Sequence, residues 1–167
     1  MRTRYIAADD VASVAQVHLD SWNTAYRGLV PDEFLAVFTF EKRKDLAIRA
    51  LDDDAQDTVV IEDDEGIFGF VVFGASRDGD AEAGAVGEIW GIYIDPGDWR
   101  KGAGRMLAQY AQSALRERGF TAATLWVLEG NSDAREFYEK LGFRLDGARK
   151  TVELGSPLDA VRYRKRI

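Results

Sequence analysis

Residues 93–105 read Tyr-Ile-Asp-Pro-Gly-Asp-Trp-Arg-Lys-Gly-Ala-Gly-Arg, a short basic glycine loop between a strand-like run and a helix-like one. Such a loop has a chemical use. The first N–H groups of a helix lack internal acceptors and sit at the positive end of its dipole, so they suit phosphate oxygens. Gly102 and Gly104 clear side chains from the contact surface, while Arg100, Lys101 and Arg105 add positive charge to an otherwise acidic chain. A P-loop would need Lys followed by Ser or Thr after the second glycine, but Arg105 and Met106 follow Gly104. A dinucleotide fingerprint would need a small residue where Leu107 stands and would normally open its domain. The plain alternative is a connecting loop with a capped helix.

Other chemistry is excluded by composition. The chain has no cysteine and one histidine, which removes disulfides, thiolate metal sites and a cysteine nucleophile. That histidine and the scattered carboxylates lack ligand spacing, so no metal site is expected. His18 falls on an apolar helical stripe with Val14 and Trp22, as a buried, hydrogen-bonded side chain or as part of a pocket wall. The acidic residues between Asp52 and Glu65 read as a solvated face whose field would favour cationic substrates.

The elements that must position these residues follow from periodicity. Apolar residues Val11, Val14, Ala15, Trp22 and Ala25 recur at helical spacing over 10–26, with Asp9 or Asp10 as N-cap, and two shorter helical pieces follow Pro31. From Thr58 the period changes: Val59, Val60 and Ile61, a turn at Asp63-Asp64-Glu65-Gly66, and a run at 67–73 make a hairpin. Residues 86–94 form a third strand, ended by Pro96. The stripe Ala103, Leu107, Tyr110, Ala111, Ala114 and Leu115 then marks a helix stopped by Gly119. That order repeats, with a strand at 122–128, a helix carrying Ala134, Phe137, Tyr138 and Leu141, an end at Gly142, and extended chain to a final strand at 160–167. These elements make a mixed α/β domain with a partly parallel sheet.

At 167 residues, 46% hydrophobic and 31% charged, residues 1–167 are expected to fold as one domain that buries about 70% of its unfolded surface. With 29 acidic against 22 basic residues, the net charge of −7 argues against nucleic-acid binding. No apolar run approaches the roughly 18 residues needed to cross a bilayer, so neither membrane nor secretion is expected, and the cytoplasm is the expected location.

The motifs resemble those of the GNAT superfamily of acyl-CoA-dependent N-acyltransferases over nearly the whole chain. A strand followed by Gln/Arg-x-x-Gly-x-Gly/Ala is matched from Trp99 to Gly104, with Trp99 in place of Gln or Arg. Asn-x-x-Ala-x-x-Phe-Tyr-x-x-x-Gly-Phe is matched by Asn131, Ala134, Phe137, Tyr138, Gly142 and Phe143. The segment from Ser21 through Pro31 is similar to one subset of that superfamily. The resemblance implies a central, mostly antiparallel sheet of six or seven strands with a splayed parallel pair and about four helices. It implies that acetyl-CoA is the cosubstrate. The main chain of Ile92, Tyr93 and Ile94 would pair with its pantetheine arm, Arg100, Lys101, Gly102, Ala103, Gly104 and Arg105 would hold its pyrophosphate, and Asn131 and Ala134 would touch the arm. The first two helices would wall the acceptor site, where Trp22 and Tyr26 could contact substrate.

Thioester aminolysis needs a neutral amine in line with the carbonyl, donors for the oxyanion and a proton for the thiolate, with no covalent intermediate. The family counterpart of Tyr138 makes it the candidate acid. Glu88, expected to share a largely apolar strand face with Trp90, Ile92 and Ile94, is the candidate base, directly or through a water. The expected activity is acetyl transfer from acetyl-CoA to a primary amine on a small molecule, peptide or protein N-terminus, by a monomer or homodimer. The competing expectation is a non-catalytic acyl-CoA sensor or interaction domain.

Overall fold

A computed structural model describes residues 1–81 and 84–167. The strands are β1 (Arg2–Tyr5), β2 (Gln56–Glu62), β3 (Ile67–Ala75), β4 (Val86–Ile94), β5 (Ala122–Leu128), β6 (Arg144–Glu153) and β7 (Pro157–Arg166). They form one sheet in the order β1-β2-β3-β4-β5-β7-β6. Every neighbouring pair is antiparallel except β4 and β5, as the family resemblance implied. The helices are α1 (Val11–Ala25), the single turn α2 (Asp32–Leu35), α3 (Phe40–Leu51), α4 (Ala103–Glu117) and α5 (Ser132–Lys140).

The two sheet faces bury different helices. Val59, Ile61, Val71, Phe73, Ile89, Leu125 and Val127 meet Leu107, Ala111 and Leu115 of α4 and Tyr138 of α5. Val60 and Phe70 meet Val14 and Val17 of α1 and Ala47 of α3 on the opposite face. The approach of α4 to β4 depends on Gly87, where a Cβ would lie 2.7 Å from a Leu115 methyl carbon. Leu115 is wholly buried in that contact, so truncating it to alanine would cost about 2–5 kcal/mol.

Strand β1 escaped the sequence reading. It is an edge strand whose alternation is one of charge: Arg2 and Arg4 both bind Glu62, and Arg4 also binds Asp10. Asp10 consequently does not cap α1 as expected; its carboxylate accepts the Ala7 N–H at 2.7 Å and the Arg4 guanidinium. On the far side of the sheet Arg162 of β7 ties Asp78 and Asp80, in the segment after β3, to Asp146 of β6. That clamp fixes the segment carrying Arg77.

Candidate active site

Strands β4 and β5 pair at only three positions, Val86 with Ala122, Gly87 with Ala123 and Glu88 with Thr124, although they run on to Ile94 and Leu128. Beyond Glu88 they part. The register between β3 and β4 also shifts, pairing Val72 with Gly91 but Phe73 with Ile89, so Trp90 is an extra residue on β4. This bulge changes which side chains share a face. Ile92 and Ile94 pack on the α4 and α5 side, whereas Tyr93 turns to the α1 side, its ring 4.2 Å from that of His18 and 4.9 Å from that of Phe70. The expected common face of Glu88, Trp90, Ile92 and Ile94 therefore breaks at the bulge.

The main chain follows from the same register. Asp95 N–H donates to the Phe68 carbonyl at 2.8 Å, and in an antiparallel ladder such groups alternate in direction. Tyr93 thus spends its main-chain groups on β3, while Ile92 and Ile94 direct theirs toward the gap left by β5. The Ile94 carbonyl is already engaged: it accepts the indole N–H of Trp99 at 2.8 Å. Through that bond Trp99, which stands where the motif has Gln or Arg, fastens the basic loop to the end of β4.

The loop itself holds two left-handed residues, Arg100 at φ 64° and Gly102 at φ 95°. Gly102 is the N-cap of α4, and no side chain among the described residues caps the helix. The Met106 N–H makes the bond back to the Gly102 carbonyl at 3.1 Å, so the amides of Ala103, Gly104 and Arg105 precede the helical ladder. Successive amides in such a turn form a concavity suited to an anion. A Cβ on Gly102 would meet nothing within 4 Å, while one on Gly104 would approach Phe137 of α5 to 3.1 Å. Lys101 is drawn back to Asp98 at 3.0 Å, whereas Arg100 and Arg105 are exposed beside the amides. At the head of α5 the Asn131 carboxamide oxygen accepts the Ala134 N–H at 3.1 Å, so Asn131 is a helix cap whatever else it touches.

The α1 side of the gap is aromatic. Trp22 and Tyr26 lie 4.4 Å apart, Phe38 sits 6.1 Å from Trp22, and His18 stands edge-on to Trp22 at 6.2 Å. A cavity of about 230 Å³ is bounded here by His18, Thr58, Phe70, Arg77, Trp90 and Tyr93. A more open depression of about 530 Å³ lies away from these residues, where Arg144 and Arg164 line the far strands. Burial, with Arg43 adding to it, pushes the His18 imidazole down to about 3, so it is neutral at pH 7.

Tyr138 is buried, and burial pushes its phenol above the usual range, with Tyr26 and Tyr93 near enough to add to the shift. Tyr26 is raised the same way. Both phenols keep their protons at neutral pH. Glu88 is 1% exposed and engaged at both oxygens: Arg77 donates its main-chain N–H to Oε2 at 2.9 Å, its Nε to the same oxygen at 3.2 Å and its Nη2 to Oε1. Arg77 in turn stacks 4.1 Å over Trp90.

The structure thus brings together Trp22, Tyr26, Tyr93 and Tyr138 around the gap and sets the loop at 100–105 next to its β4 wall. Sequence reasoning missed Arg77 and Arg43. Arg43 had a readable signal: it sits one turn before Ala47 on the buried stripe of α3, where the period calls for an apolar residue.

An extended ligand can join a sheet where strand main-chain groups are left unpaired, and here β4 and β5 part next to uncapped helix amides, an arrangement suited to a ligand with an extended arm and a phosphate group, as acyl-CoA has. The chain belongs to the acetyltransferase (GNAT) family, whose model matches residues 17–143. It is 31% identical to the uncharacterized N-acetyltransferase YuaI of Bacillus subtilis over 163 residues, 89% of this chain and 88% of that one. Its fold is similar to that of the PaiA N-acetyltransferase of Thermoplasma acidophilum solved in complex with coenzyme A, with a TM-score of 0.75 and 20% identity over 99% of this chain and 98% of that one. The ribosomal-protein-alanine N-acetyltransferase of Brucella melitensis superposes with a TM-score of 0.76 and 19% identity over the whole of both chains. Among the described residues, no helix is long and apolar enough to cross a membrane.

Proposed function

We propose that this protein transfers the acetyl group of acetyl-CoA to a primary amine by direct attack within a ternary complex. The observation that carries the reading is the uncapped α4 N-terminus beside the gap between β4 and β5. The amides of residues 103–105, with Arg100 and Arg105, would hold the pyrophosphate; Lys101 would join them by leaving Asp98. Ile92, through both main-chain groups, and Ile94, through its N–H, would pair with the pantetheine arm. Tyr93 would contribute its side chain instead. Asn131 and Ala134 would border the arm from α5.

When bound, the thioester supplies an activated acyl carbon. The chain's part is to place an amine against it from the Trp22 and Tyr26 side, which is worth on the order of 7–11 kcal/mol when orientation is good. Nitrogen bonds to the acyl carbon, the carbon–sulfur bond breaks, and the leaving thiolate takes a proton from Tyr138. A phenol whose burial keeps it protonated suits that task, at about 10²- to 10⁴-fold in rate. Glu88 would accept the amine proton through a water bridging to Oε1, which takes one bond from Arg77 where Oε2 takes two.

Calorimetry with acetyl-CoA, followed by free-thiol assays across an amine panel, tests this reading. Saturable binding in the micromolar to millimolar range of enzyme substrates and acceptor-dependent release of CoA with intersecting initial-rate lines are expected. No binding at millimolar cofactor would overturn the loop and the function together. Tight binding without thiol release above background would indicate a sensor, and parallel rate lines would refute direct attack.

A further inference from the structure

Arg43 is 3% exposed, and its guanidinium pairs with no carboxylate among the described residues. Arginine keeps its proton in proteins, and a buried cation without a counter-ion is strongly disfavoured. Aromatic rings stand against it: its Cζ lies 4.7 Å from the Trp22 ring centroid and 4.8 Å from that of Phe38. One edge is used: Nη1 is 3.0 Å from His18 Nε2. Because arginine can only donate, His18 Nε2 accepts, and the imidazole proton belongs on Nδ1. The other edge is bare. Nε and Nη2 are buried without a hydrogen-bond partner among the described residues, and so is the indole N–H of Trp22. Nε and Nη2 together form the side-on fork with which arginine takes both oxygens of a carboxylate.

Arg43 stands on the aromatic wall of the site: its Cζ is 4.7 Å from the Trp22 ring, whose centroid is 4.4 Å from that of Tyr26. We infer that Arg43 receives a carboxylate of the acceptor, so that the acceptor is an amino-acid-like molecule bearing both the amine to be acetylated and an anionic group. This rests on the acetyltransferase reading above and narrows its substrate class. It also fits the chain's charge of −7: a zwitterion with no net charge is not repelled by that field, whereas a simple anion would be.

Matched pairs test it: glycine and glycinamide, β-alanine and β-alaninamide, phenylalanine and phenylalaninamide, each rate corrected to the concentration of neutral amine. With wild-type protein at least one acid should exceed its amide in kcat/KM by about tenfold or more, because a site built for a polar group rejects the analogue lacking it. In Arg43→Gln that acid-to-amide ratio should fall to within about threefold of one, and Arg43→Lys should restore part of it. Acetyl-CoA affinity, read by calorimetry, should match the wild type and certifies that each variant is folded. The wild-type ratios stand as a test even where a variant fails to fold. Amides equal to or better than their acids in every pair would overturn the assignment while leaving the acetyltransferase reading intact. A ratio unchanged in Arg43→Gln would overturn it as well. No thiol release from any of these acids or amides, with release from other amines of the panel, would overturn the carboxylate assignment alone; no release from any amine would overturn both.

Discussion

Lowering the pH from 7 to 5 puts a proton on His18 in the unfolded chain but not in the folded one. Unfolded, the imidazole titrates near 6.5; folded, burial and then the neighbouring Arg43 push it down to about 3. Between those values the unfolded chain binds the extra proton, so stability must rise with pH. The contribution is complete above about 6.5 and is lost as pH falls toward 3. At pH 5 the unfolded state is favoured by RT ln(1 + 10^1.5), about 2 kcal/mol, and by almost nothing at pH 7. Against a total of about 5–15 kcal/mol this is measurable. The lowered carboxylates, Asp10, Glu62, Asp80 and Glu136, act in another window: their contributions are present above the ordinary carboxylate range near 4 and vanish only below it. Urea unfolding followed by tryptophan fluorescence at pH 7, 6 and 5 reads the effect. His18→Gln keeps an acceptor for Arg43 and removes the titration. It should be less stable than the wild type at pH 7, having lost the ring packed 4.2 Å from Tyr93, yet should change little between pH 7 and 5. If the variant loses stability with acid as steeply as the wild type, the histidine is not buried in its neutral form and the argument fails.

Two substitutions bear on the reaction. Tyr138→Phe should lower kcat by about 10²-fold or more while leaving the KM for acetyl-CoA and the thermal midpoint nearly unchanged, since no hydrogen bond to the phenol is present among the described residues. Because burial raises that phenol, the wild-type kcat should not decline with alkali until the pH passes its ordinary value of about 10; a decline near pH 8 would assign the acid elsewhere. In Gly102→Ala the added methyl group meets nothing among the described residues, but the free loop escapes about 1–2 kcal/mol of strain by leaving the left-handed φ of 95°, and CoA must restore that conformation; a roughly tenfold loss of CoA affinity by calorimetry is expected, and full affinity would show that CoA does not need the loop in this conformation.

What could be read in advance was local. Helices α1, α3, α4 and α5 announce themselves by spacing, the β2–β3 hairpin by β-branched residues around an acidic turn, and the loop at 100–105 by having its glycines, cations and helix start within a few residues. What could not be read joins distant parts. Strand β1 exists through Arg4 and Glu62, 58 positions apart, and Arg43 and His18 are 25 apart. Counting only apolar residues hides an arginine on a buried stripe. The bulge at Trp90 is the deepest loss, because two residues facing one is a property of a pair of strands and not of either sequence alone. Its consequence is functional. An unbroken period of two would have put Ile92 and Ile94 on the same side as Glu88 and sent Tyr93 to the other. With one residue inserted, the isoleucines pack toward α4, whose amides would hold the donor in the proposed reaction, while Tyr93 joins His18 and Trp22 on the α1 side, where the acceptor would enter. The same irregularity falls where β5 leaves β4, so the sheet opens at the place where side chains from both faces can meet across it.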